Sequence, residues 1–370
     1  MSALTPAPAS APASASTCRV VRGPIELPDR AAATLAVQGD TMDAVVNDDG
    51  HPRVFSYSAG ASRPLAAEVR EAIDGGAPTG SRGLAIPCAV ASAYCFCPDR
   101  SGEVHRTELQ GGSDRVVASA RSRTRVAAAI LSDGHPALAY LASRKTSEGW
   151  VSEAWLAVDD APPVRLSEDG SGATEVALIR RGESLLAVMV DARAALTAVH
   201  ARLISYEAGT HIGEDIVVFV GSPGDGEDAL ALAVPASGPA LALLPLSQGA
   251  RGFGLAMIRI DDPPRVDEET AWSMYENGIN PALVAAVAGP KTSWVARIRP
   301  LSAAASSPAA LELGEVRGPG AAGASVFTSH GVIAAPTSVR DIGLALDHAG
   351  DLWVSWLDAS GGWIERLRCP

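Results

Sequence analysis

The segment RVAAAILSDGHPALAYLASRKTSEGWVSEAWLAVDDAPPVRLSE, residues 125–168, contains the pattern that decides the fold. Four apolar runs follow one another, separated by Ser-Asp-Gly-His, by a polar loop and by Asp-Asp-Ala-Pro-Pro. Glycine, proline and aspartate favour turns because they supply a positive φ, a fixed φ or a local side-chain hydrogen bond. The segment therefore predicts four consecutive β-strands joined by short connections.

The first of these runs recurs along the chain at intervals of about 42 to 60 residues, which is the range of propeller blades. The seven copies are ATLAVQ (33–38), GLAIPCA (83–89), RVAAAIL (125–131), EVALIR (175–180), DALALAV (228–234), PALVAAV (281–287) and DIGLALD (341–347). Small residues suit the crowded inner strands of a closed ring, and strands buried on both faces give continuous apolar runs. The repeat predicts an all-β fold, a seven-bladed β-propeller of four-stranded antiparallel blades over residues 18–370. An array of β-sandwiches or two smaller β domains is the alternative.

Residues 346–356, LDHAGDLWVSW, strengthen this interpretation. They resemble the Asp-x-x-Gly-x-Leu-Trp-Val blade signature of streptogramin-lyase-like and sensor-type bacterial propellers. The matching positions are Asp347, Gly350, Leu352, Trp353 and Val354. The resemblance covers one blade and implies the fold. It implies little about activity, because β-propellers include binding proteins, hydrolases, lyases and scaffolds.

Bulk composition narrows the function classes. The chain has 370 residues, of which 47% are hydrophobic, and a formal net charge of −12. A nucleic-acid-binding protein needs a basic face, so we expect no nucleic-acid partner. No apolar run reaches the roughly 18–20 residues of a membrane-spanning helix, so we expect no transmembrane segment.

Residues 1–17 are rich in proline, alanine and serine, which predicts a disordered tether. The segment lacks the basic and apolar regions of a signal peptide. It is similar to the spacers that follow a signal peptide or lipid anchor in exported bacterial proteins. We therefore expect an exported protein, periplasmic or associated with the outer envelope, and a lipid anchor upstream of the given sequence is compatible with this. A disordered cytosolic tail is the alternative.

The last blade supplies only three strands before residue 370, and an unpaired sheet edge is unfavourable. Residues 18–27, CRVVRGPIEL, form an extra strand before the first blade. Antiparallel pairing of this strand with WIERLRC, residues 363–369, would place Cys18 opposite Cys369, within reach of a disulfide. We predict that this disulfide closes the ring; two free buried thiols are the alternative.

The other three cysteines belong to the second blade. Cys88 can bond to Cys95 or to Cys97 across two neighbouring strands, which leaves one thiol over. Zinc would need a fourth ligand, and His105 stands in no recognised spacing with the three cysteines. We therefore expect no metal site and no cofactor.

Charged residues in the predicted loops give one candidate site. The loops between the second and third strands lie on one face of a propeller, and six of them are predicted to hold an arginine: Arg53, Arg100, Arg144, Arg193, Arg251 and Arg299. A ring of guanidinium groups would attract carboxylate, sulfate or phosphate groups. The alternative is that loops simply collect charges, since aspartates share them.

Two further features are candidates for ligand binding. His211 lies near Glu207, Glu214 and Asp215 and is predicted to stand in a polar loop. Trp272 and Tyr275 are predicted to lie in a connection, residues 267–281, between the fifth and sixth blades, where exposed aromatic side chains would favour recognition. Anchoring of this loop on its own small core is the alternative.

Two function classes fit these observations. The favoured hypothesis is an exported, monomeric binding or scaffold propeller that recognises a protein or saccharide partner through its loop face. The alternative is a lyase or hydrolase with charged loop residues around the axial funnel. Catalysis needs titratable groups gathered around one cavity, and the predicted inner strands carry no repeated histidine–acid pair. No catalytic residue is assigned from the sequence.

Overall fold

The computed structural model of the chain describes most of the predicted propeller. The described residues are 18–27, 31–38, 41–58, 68–71, 86–109, 114–122, 124–147, 149–193, 196–206, 209–221, 230–235, 238–247, 253–264, 271–276, 283–290, 292–300, 309–317, 326–334 and 339–370. Within them every regular element is a β-strand. The predicted tether, residues 1–17, lies outside the described residues.

The strands group into seven antiparallel sheets, the blades. After β1 (Arg19–Leu27), blade 1 contains β2 (Ala33–Gln38), β3 (Thr41–Asp48), β4 (His51–Ser58) and β5 (Glu68–Glu71). Blade 2 contains β6 (Ala89–Ala91), β7 (Tyr94–Pro98), β8 (Glu103–Glu108) and β9 (Arg115–Ser119). Blade 3 contains β10 (Ala127–Ile130), β11 (Pro136–Lys145), β12 (Trp150–Val158) and β13 (Val164–Arg165).

The second half of the ring repeats this order. Blade 4 contains β14 (Ala173–Arg181), β15 (Ser184–Arg193), β16 (Leu196–Tyr206), β17 (Thr210–Ile212) and β18 (Ile216–Gly221). Blade 5 contains β19 (Ala231–Ala233), β20 (Ala240–Ser247), β21 (Phe253–Ile260) and β22 (Ala271–Glu276). Blade 6 contains β23 (Val284–Ala288), β24 (Ser293–Pro300), β25 (Ala309–Arg317) and β26 (Val326–Ala334). Blade 7 contains β27 (Asp341–Leu346), β28 (Leu352–Leu357) and β29 (Gly362–Arg368), and β1 completes it.

The core is distributed between the blades. Each of seven buried apolar clusters lies at one interface between neighbouring blades. Strand β15 shows how one strand serves two of them: Ala187 and Met189 pack toward blade 3, whereas Leu186 and Val188 pack toward blade 5. Because alternate side chains of a strand point to opposite faces, both sets are buried. This explains the continuous apolar runs and confirms the predicted seven-bladed propeller.

The ring closes as the sequence predicted. Strand β1 pairs antiparallel with β29, with Arg19 opposite Arg368 and Leu27 opposite Gly362. Cys18 and Cys369 form a disulfide across this pair, with their Cα atoms 4.2 Å apart. The inner strand β2 of blade 1 also contacts β27 of blade 7. Hydrogen bonds, packing and a covalent bond therefore all join the two ends of the ring.

The blade signature has a local structural explanation. Asp347 accepts hydrogen bonds at Oδ1 from the backbone N–H groups of Ala349 and Asp351, and at Oδ2 from Nε1 of Trp353, 3.0 Å away. Gly350 has φ +79°, a left-handed conformation that glycine adopts without a steric penalty. The Trp353 ring is fully buried between blades 7 and 1. The signature thus fixes the turn between β27 and β28 and anchors it in the core.

Two predicted segments differ from the structure. The inner strand of blade 2 is Ala89–Ala91, at the end of the predicted run 83–89. Residues 267–281 are not simply a connection, because β22 (Ala271–Glu276) pairs with β21 as the fourth strand of blade 5. Trp272 and Tyr275 therefore lie on an outer strand, opposite Met257 and Gly254. The pairing gives hydrogen-bond partners to the backbone groups at the outer edge of β21. A loop at residues 271–276 would not provide them.

Candidate functional site

The antiparallel order of the strands gives the ring two different ends. We call the loop face the end that carries the connections between blades and the loops from each second to each third strand. The turn face is the opposite end, with the first-to-second and third-to-fourth connections. Both Cys18 and Cys369 lie at the turn face, because β1 begins there and β29 ends there.

The predicted arginine ring falls at this loop face, but most of its members lie in strands. Arg100 lies in the loop between β7 and β8, with its side chain 57% exposed and its Nε 3.6 Å from Oδ2 of Asp49. Arg53, Arg144, Arg193 and Arg299 lie within β4, β11, β15 and β24, because these strands extend further than the apolar pattern indicated. Arg251 lies outside the described residues. The ring remains a prediction, with Arg100 its best-placed member.

Arg144 has a structural partner. Its guanidinium donates to both carboxylate oxygens of Glu153, at 3.2 and 3.0 Å, and also pairs with Asp169. Glu153 is fully buried and accepts a further hydrogen bond from the backbone N–H of Gly170. Burial alone would raise the pKa of Glu153, but the bonds from Arg144 and Gly170 outweigh it and hold that pKa below its usual value. Arg144 therefore neutralises a buried carboxylate.

An ion pair crosses the axis at the loop face. Arg125 lies two residues before β10, the inner strand of blade 3, and Asp341 begins β27, the inner strand of blade 7. Their side chains form a salt bridge and hydrogen bond. Blades 3 and 7 are three steps apart on a ring of seven, so this contact spans the central opening. Asp341 is buried, and burial raises its pKa above the usual value despite Arg125.

Exposed apolar side chains occur at the same face on blades 3 and 4. Trp150, at the loop-face end of β12, is 72% exposed. On blade 4, Leu196 begins β16 and Val220 lies near the end of β18, and each is 55% exposed. We call these three residues the apolar rim. Exposed aromatic and aliphatic groups at one end of a molecule favour contact with a partner.

Histidines and carboxylates meet in the seam between blades 1 and 2. Nδ1 of His105 on β8 lies 3.0 Å from Oδ2 of Asp114, and Nδ1 of His51 at the start of β4 lies 3.6 Å from the same oxygen. The two imidazole centroids are 5.3 Å apart. On the other side of the His105 ring, Nε2 lies 3.9 Å from Oδ2 of Asp99. We call His51, His105 and Asp114 the seam triad.

Blade 4 contains a related arrangement, the blade 4 cluster, made of Asp191, His200, Arg202 and Asp215. Nδ1 of His200 on β16 lies 3.1 Å from Oδ2 of Asp215, and Nε2 lies 3.8 Å from Oδ2 of Asp191. Nη2 of Arg202 lies 3.2 Å from Oδ2 of Asp215. Burial would raise the pKa of Asp215, but hydrogen bonds and charge from His200 and Arg202 outweigh it and hold that pKa below its usual value.

The other candidates lie away from these groups. His211 is an exposed residue of β17, opposite Ser205 of β16, so it lies in a strand and not in a polar loop. Trp272 and Tyr275 lie on β22, as described above. Among the described residues, Arg100 and Arg144 lie at the loop face, whereas His211 lies near the turn-face end of β16 and β22 is the outer strand of blade 5. The ligand-binding assignments stay predictions.

Among the described residues, clefts between neighbouring blades open at the turn face. One, of about 670 Å³, lies between blades 4 and 5 and is lined by both arginines and aspartates, including Arg181, Arg259, Asp261 and Asp262. The other, of about 610 Å³, lies between blades 6 and 7 and is lined by Trp294, Glu315, Cys369 and neighbouring residues. Arg181 donates hydrogen bonds to the backbone carbonyls of Ile260 and Asp261, at 3.1 and 3.0 Å, so its guanidinium joins two blades.

The three cysteines of blade 2 form one disulfide and leave one free thiol. Cys88 and Cys97 form a disulfide, which decides between the two predicted pairings, and Cys95 is a buried free thiol. The Cys95 sulfur lies 3.3 Å from that of Cys97. Burial raises the pKa of the Cys95 thiol, so its nucleophilic thiolate form is disfavoured.

Comparisons with known proteins support the fold. The chain matches no protein-family model and no curated protein sequence. A solved structure of the Dos1 propeller aligns over 94% of this chain and 94% of its own, with 8% identity and a TM-score of 0.50. A Dyadobacter fermentans protein of unknown function covers 96% of this chain and 100% of its own, at 10% identity and a TM-score of 0.49.

A third similar structure is a mutant Trypanosoma rangeli sialidase that displays trans-sialidase activity, at 12% identity and a TM-score of 0.45. It aligns over 96% of this chain, which spans 60% of the sialidase chain. At 8% identity, the similarity to the Dos1 propeller indicates the fold alone. Among the described residues, no helix is long and apolar enough to span a membrane.

Proposed function

We propose that this protein is an exported binding or scaffold propeller that recognises a protein or saccharide partner through its loop face. The observation that carries the proposal is the apolar rim, with Trp150 72% exposed at the end of β12. Burial of an exposed tryptophan is a frequent source of binding energy at protein interfaces. Its flat apolar ring is also suited to stacking on the apolar face of a sugar.

The surroundings of the apolar rim support this role. Arg100 projects from the same face on blade 2, and polar groups around an apolar centre give an interface its specificity. Leu196 and Val220 add exposed apolar side chains at the same face on blade 4. A partner that covers this region would contact several blades.

The axial ion pair weighs against the alternative, a lyase or hydrolase in the funnel. A funnel enzyme needs a cavity with convergent acids and bases. Here Arg125 and Asp341 neutralise one another across the opening. Besides the seam and blade 4, His135 pairs with Asp159 in blade 3 and His330 with Glu315 in blade 6. None of the histidines in these described pairs lies on an inner strand. The geometry therefore favours binding.

Export is part of the proposal, together with a tethering role for residues 1–17. Two disulfides support it, because structural disulfides persist in oxidising compartments. Fractionation of the source cells, followed by detection of the protein in the envelope fractions, tests it. Recovery in the cytosol with reduced cysteines would contradict export.

The binding role can be tested with surface variants. The full chain would be applied to a glycan array containing envelope polysaccharide fragments, and cross-linked to proteins in an envelope extract. We expect Trp150→Ala to weaken retention by about tenfold or more, because loss of a buried aromatic anchor costs at least 1.4 kcal/mol. Val332→Thr on β26 is the matched control, since Val332 is 49% exposed but lies on an outer strand.

The outcomes separate clearly. Retention that falls with Trp150→Ala and persists with Val332→Thr supports the loop face as the binding surface. Equal retention of both variants contradicts it. Binding to the glycan array would indicate a saccharide partner, and cross-linking in the envelope extract would indicate a protein partner.

A further inference from the structure

We infer that the seam triad, His51, His105 and Asp114, is a binding site for a divalent transition-metal ion. One ligand atom from each of the three residues lies within 4.8 Å of the other two. Nδ1 of each histidine faces Oδ2 of the aspartate. The Nδ1–Oδ2 distances, 3.6 and 3.0 Å, bracket the roughly 3.3 Å expected between tetrahedral ligands about 2.0 Å from zinc. The inference is independent of the proposed partner.

His105, the central histidine of the triad, faces a second carboxylate on the Nε2 side of its ring. Nε2 of His105 faces Asp99, whose Oδ1 accepts hydrogen bonds from the backbone N–H groups of Gly102 and Glu103, each 2.8 Å away. Ser101 Oγ also donates to Asp99. A carboxylate beyond the second ring nitrogen is the usual outer partner of a metal-bound histidine, because it fixes the ring orientation and increases its basicity.

The neighbouring backbone leaves room for the His105 ring. Gly50 occupies the turn before β4 with φ +93°, and a Cβ there would lie 2.8 Å from Cδ2 of His105. Thr107 Oγ1 donates to Oδ1 of Asp114 at 3.3 Å, which orients the carboxylate and leaves Oδ2 for the histidines. The triad is therefore positioned by contacts outside its own three side chains.

Blade 4 provides an internal comparison. There the aspartate oxygen near His200 also pairs with Arg202, a permanent cation. In the seam, the third group on the aspartate oxygen is the imidazole of His51, which can donate a lone pair to a metal when it is neutral. The same carboxylate–histidine pair is thus completed by a fixed positive charge in blade 4 and by a metal ligand in the seam.

The donor set selects the class of ion. Two imidazole nitrogens and one carboxylate oxygen suit zinc and other first-row divalent metals, whereas calcium and magnesium prefer oxygen ligands only. The His51 side chain is 52% exposed, so the site is open to solvent. Three protein ligands would leave at least one coordination position for water or for a group of a partner.

The test is a zinc titration of the chelator-treated full chain, without reductant so that the Cys88–Cys97 disulfide remains intact. A chromophoric chelator reports competition, and Co²⁺ gives an independent visible spectrum. We expect one equivalent of tight binding. His51→Ala and Asp114→Asn should each weaken zinc affinity at least tenfold, and circular dichroism would establish that both variants are folded.

Two controls make the result specific. His348→Ala removes an exposed histidine of the turn between β27 and β28 and should leave binding unchanged. Glu103→Gln changes a carboxylate that lies within 4.8 Å of a ring nitrogen of His105, outside the triad, and should also leave the tight site occupied. Unchanged zinc affinity in folded His51→Ala would overturn the inference. So would loss of binding in Glu103→Gln, or the absence of a tight equivalent in the unaltered chain.

Discussion

The seam between blades 1 and 2 and the core of blade 4 both contain a histidine paired with an aspartate, but the two pairs have different surroundings. In both, a histidine on a third strand directs Nδ1 at an aspartate oxygen, at 3.0 Å in the seam and 3.1 Å in blade 4, and Nε2 faces a second aspartate. Blade 4 adds Arg202, whereas the seam adds His51. The difference shows that the third group decides whether a carboxylate–histidine pair is internally neutralised or open to a ligand.

The largest expected effect concerns the Cys18–Cys369 disulfide, which closes the ring that carries both regions. Cys18→Ser combined with Cys369→Ser should lower the free energy of unfolding by about 4 kcal/mol, because the disulfide restricts a long loop in the unfolded chain. Urea unfolding measures this loss. Zinc binding by the folded variant should remain at one equivalent, since the seam triad lies in other blades. Loss of zinc binding in a folded variant would mean that ring closure, and not the seam alone, builds the site.

Zinc should stabilise the folded chain only through the seam triad, and not through blade 4. At 100 times its Kd, zinc should increase the free energy of unfolding by about 2.7 kcal/mol, since it binds the folded chain. His51→Arg gives the seam the arginine–histidine–aspartate composition of blade 4 and should abolish this stabilisation. Thermal unfolding with and without zinc provides the measurement. Equal stabilisation of both proteins would show that the third group is not decisive.

Removing the guanidinium of blade 4 should have a smaller cost. Arg202→Met retains the length of the side chain but leaves the Asp215 carboxylate with less positive charge, which should destabilise the fold by about 2 kcal/mol. His51→Ala is the contrasting change, and an exposed position should cost about 0.5 kcal/mol or less. Urea unfolding of both variants without metal gives the values. Equal costs would contradict the distinction between a structural cluster and an open site.

The pH dependence of stability should show the smallest difference. The pKa of Asp215 is lower in the folded chain than its usual value of 3.8, so its ionised form stabilises the fold above that value. This contribution is lost as the pH falls through the folded-state pKa. The stability difference between the unaltered chain and Arg202→Met should therefore be constant near neutral pH and narrow below about pH 4. Unfolding curves measured from pH 3 to 7 would reveal a difference that stays constant if Asp215 is not involved.

The sequence predicted the architecture well because the fold depends on local and repeated features. Apolar runs, turn residues and their spacing indicated seven blades, and the orphan strand at Cys18 indicated the partner of β29. The signature around Asp347 was recognisable since the hydrogen bonds from Ala349, Asp351 and Trp353 to its carboxylate are local in sequence. Trp272 and Tyr275 were misplaced because a fourth strand has the weakest apolar pattern in a blade.

The seam triad and the axial pair had no comparable signal. His51, His105 and Asp114 come from two blades, and Arg125 and Asp341 are separated by 216 positions in the chain. No fixed spacing links such residues, and only the closed ring brings them together. His51 also lies in an Asp-Gly-His-Pro turn, and this pattern by itself indicates a structural role for the histidine. Trp150 could have been noticed as an aromatic residue beside a predicted loop, but its exposure depends on the length of β12.

The Cys18–Cys369 disulfide has a mechanical consequence, because it lies at the turn face, on the side opposite Trp150 and the axial ion pair. Force applied at Cys18 would pass through the disulfide to Cys369, next to the end of β29. The hydrogen bonds between β1 and β29 would therefore not open one after another from that end.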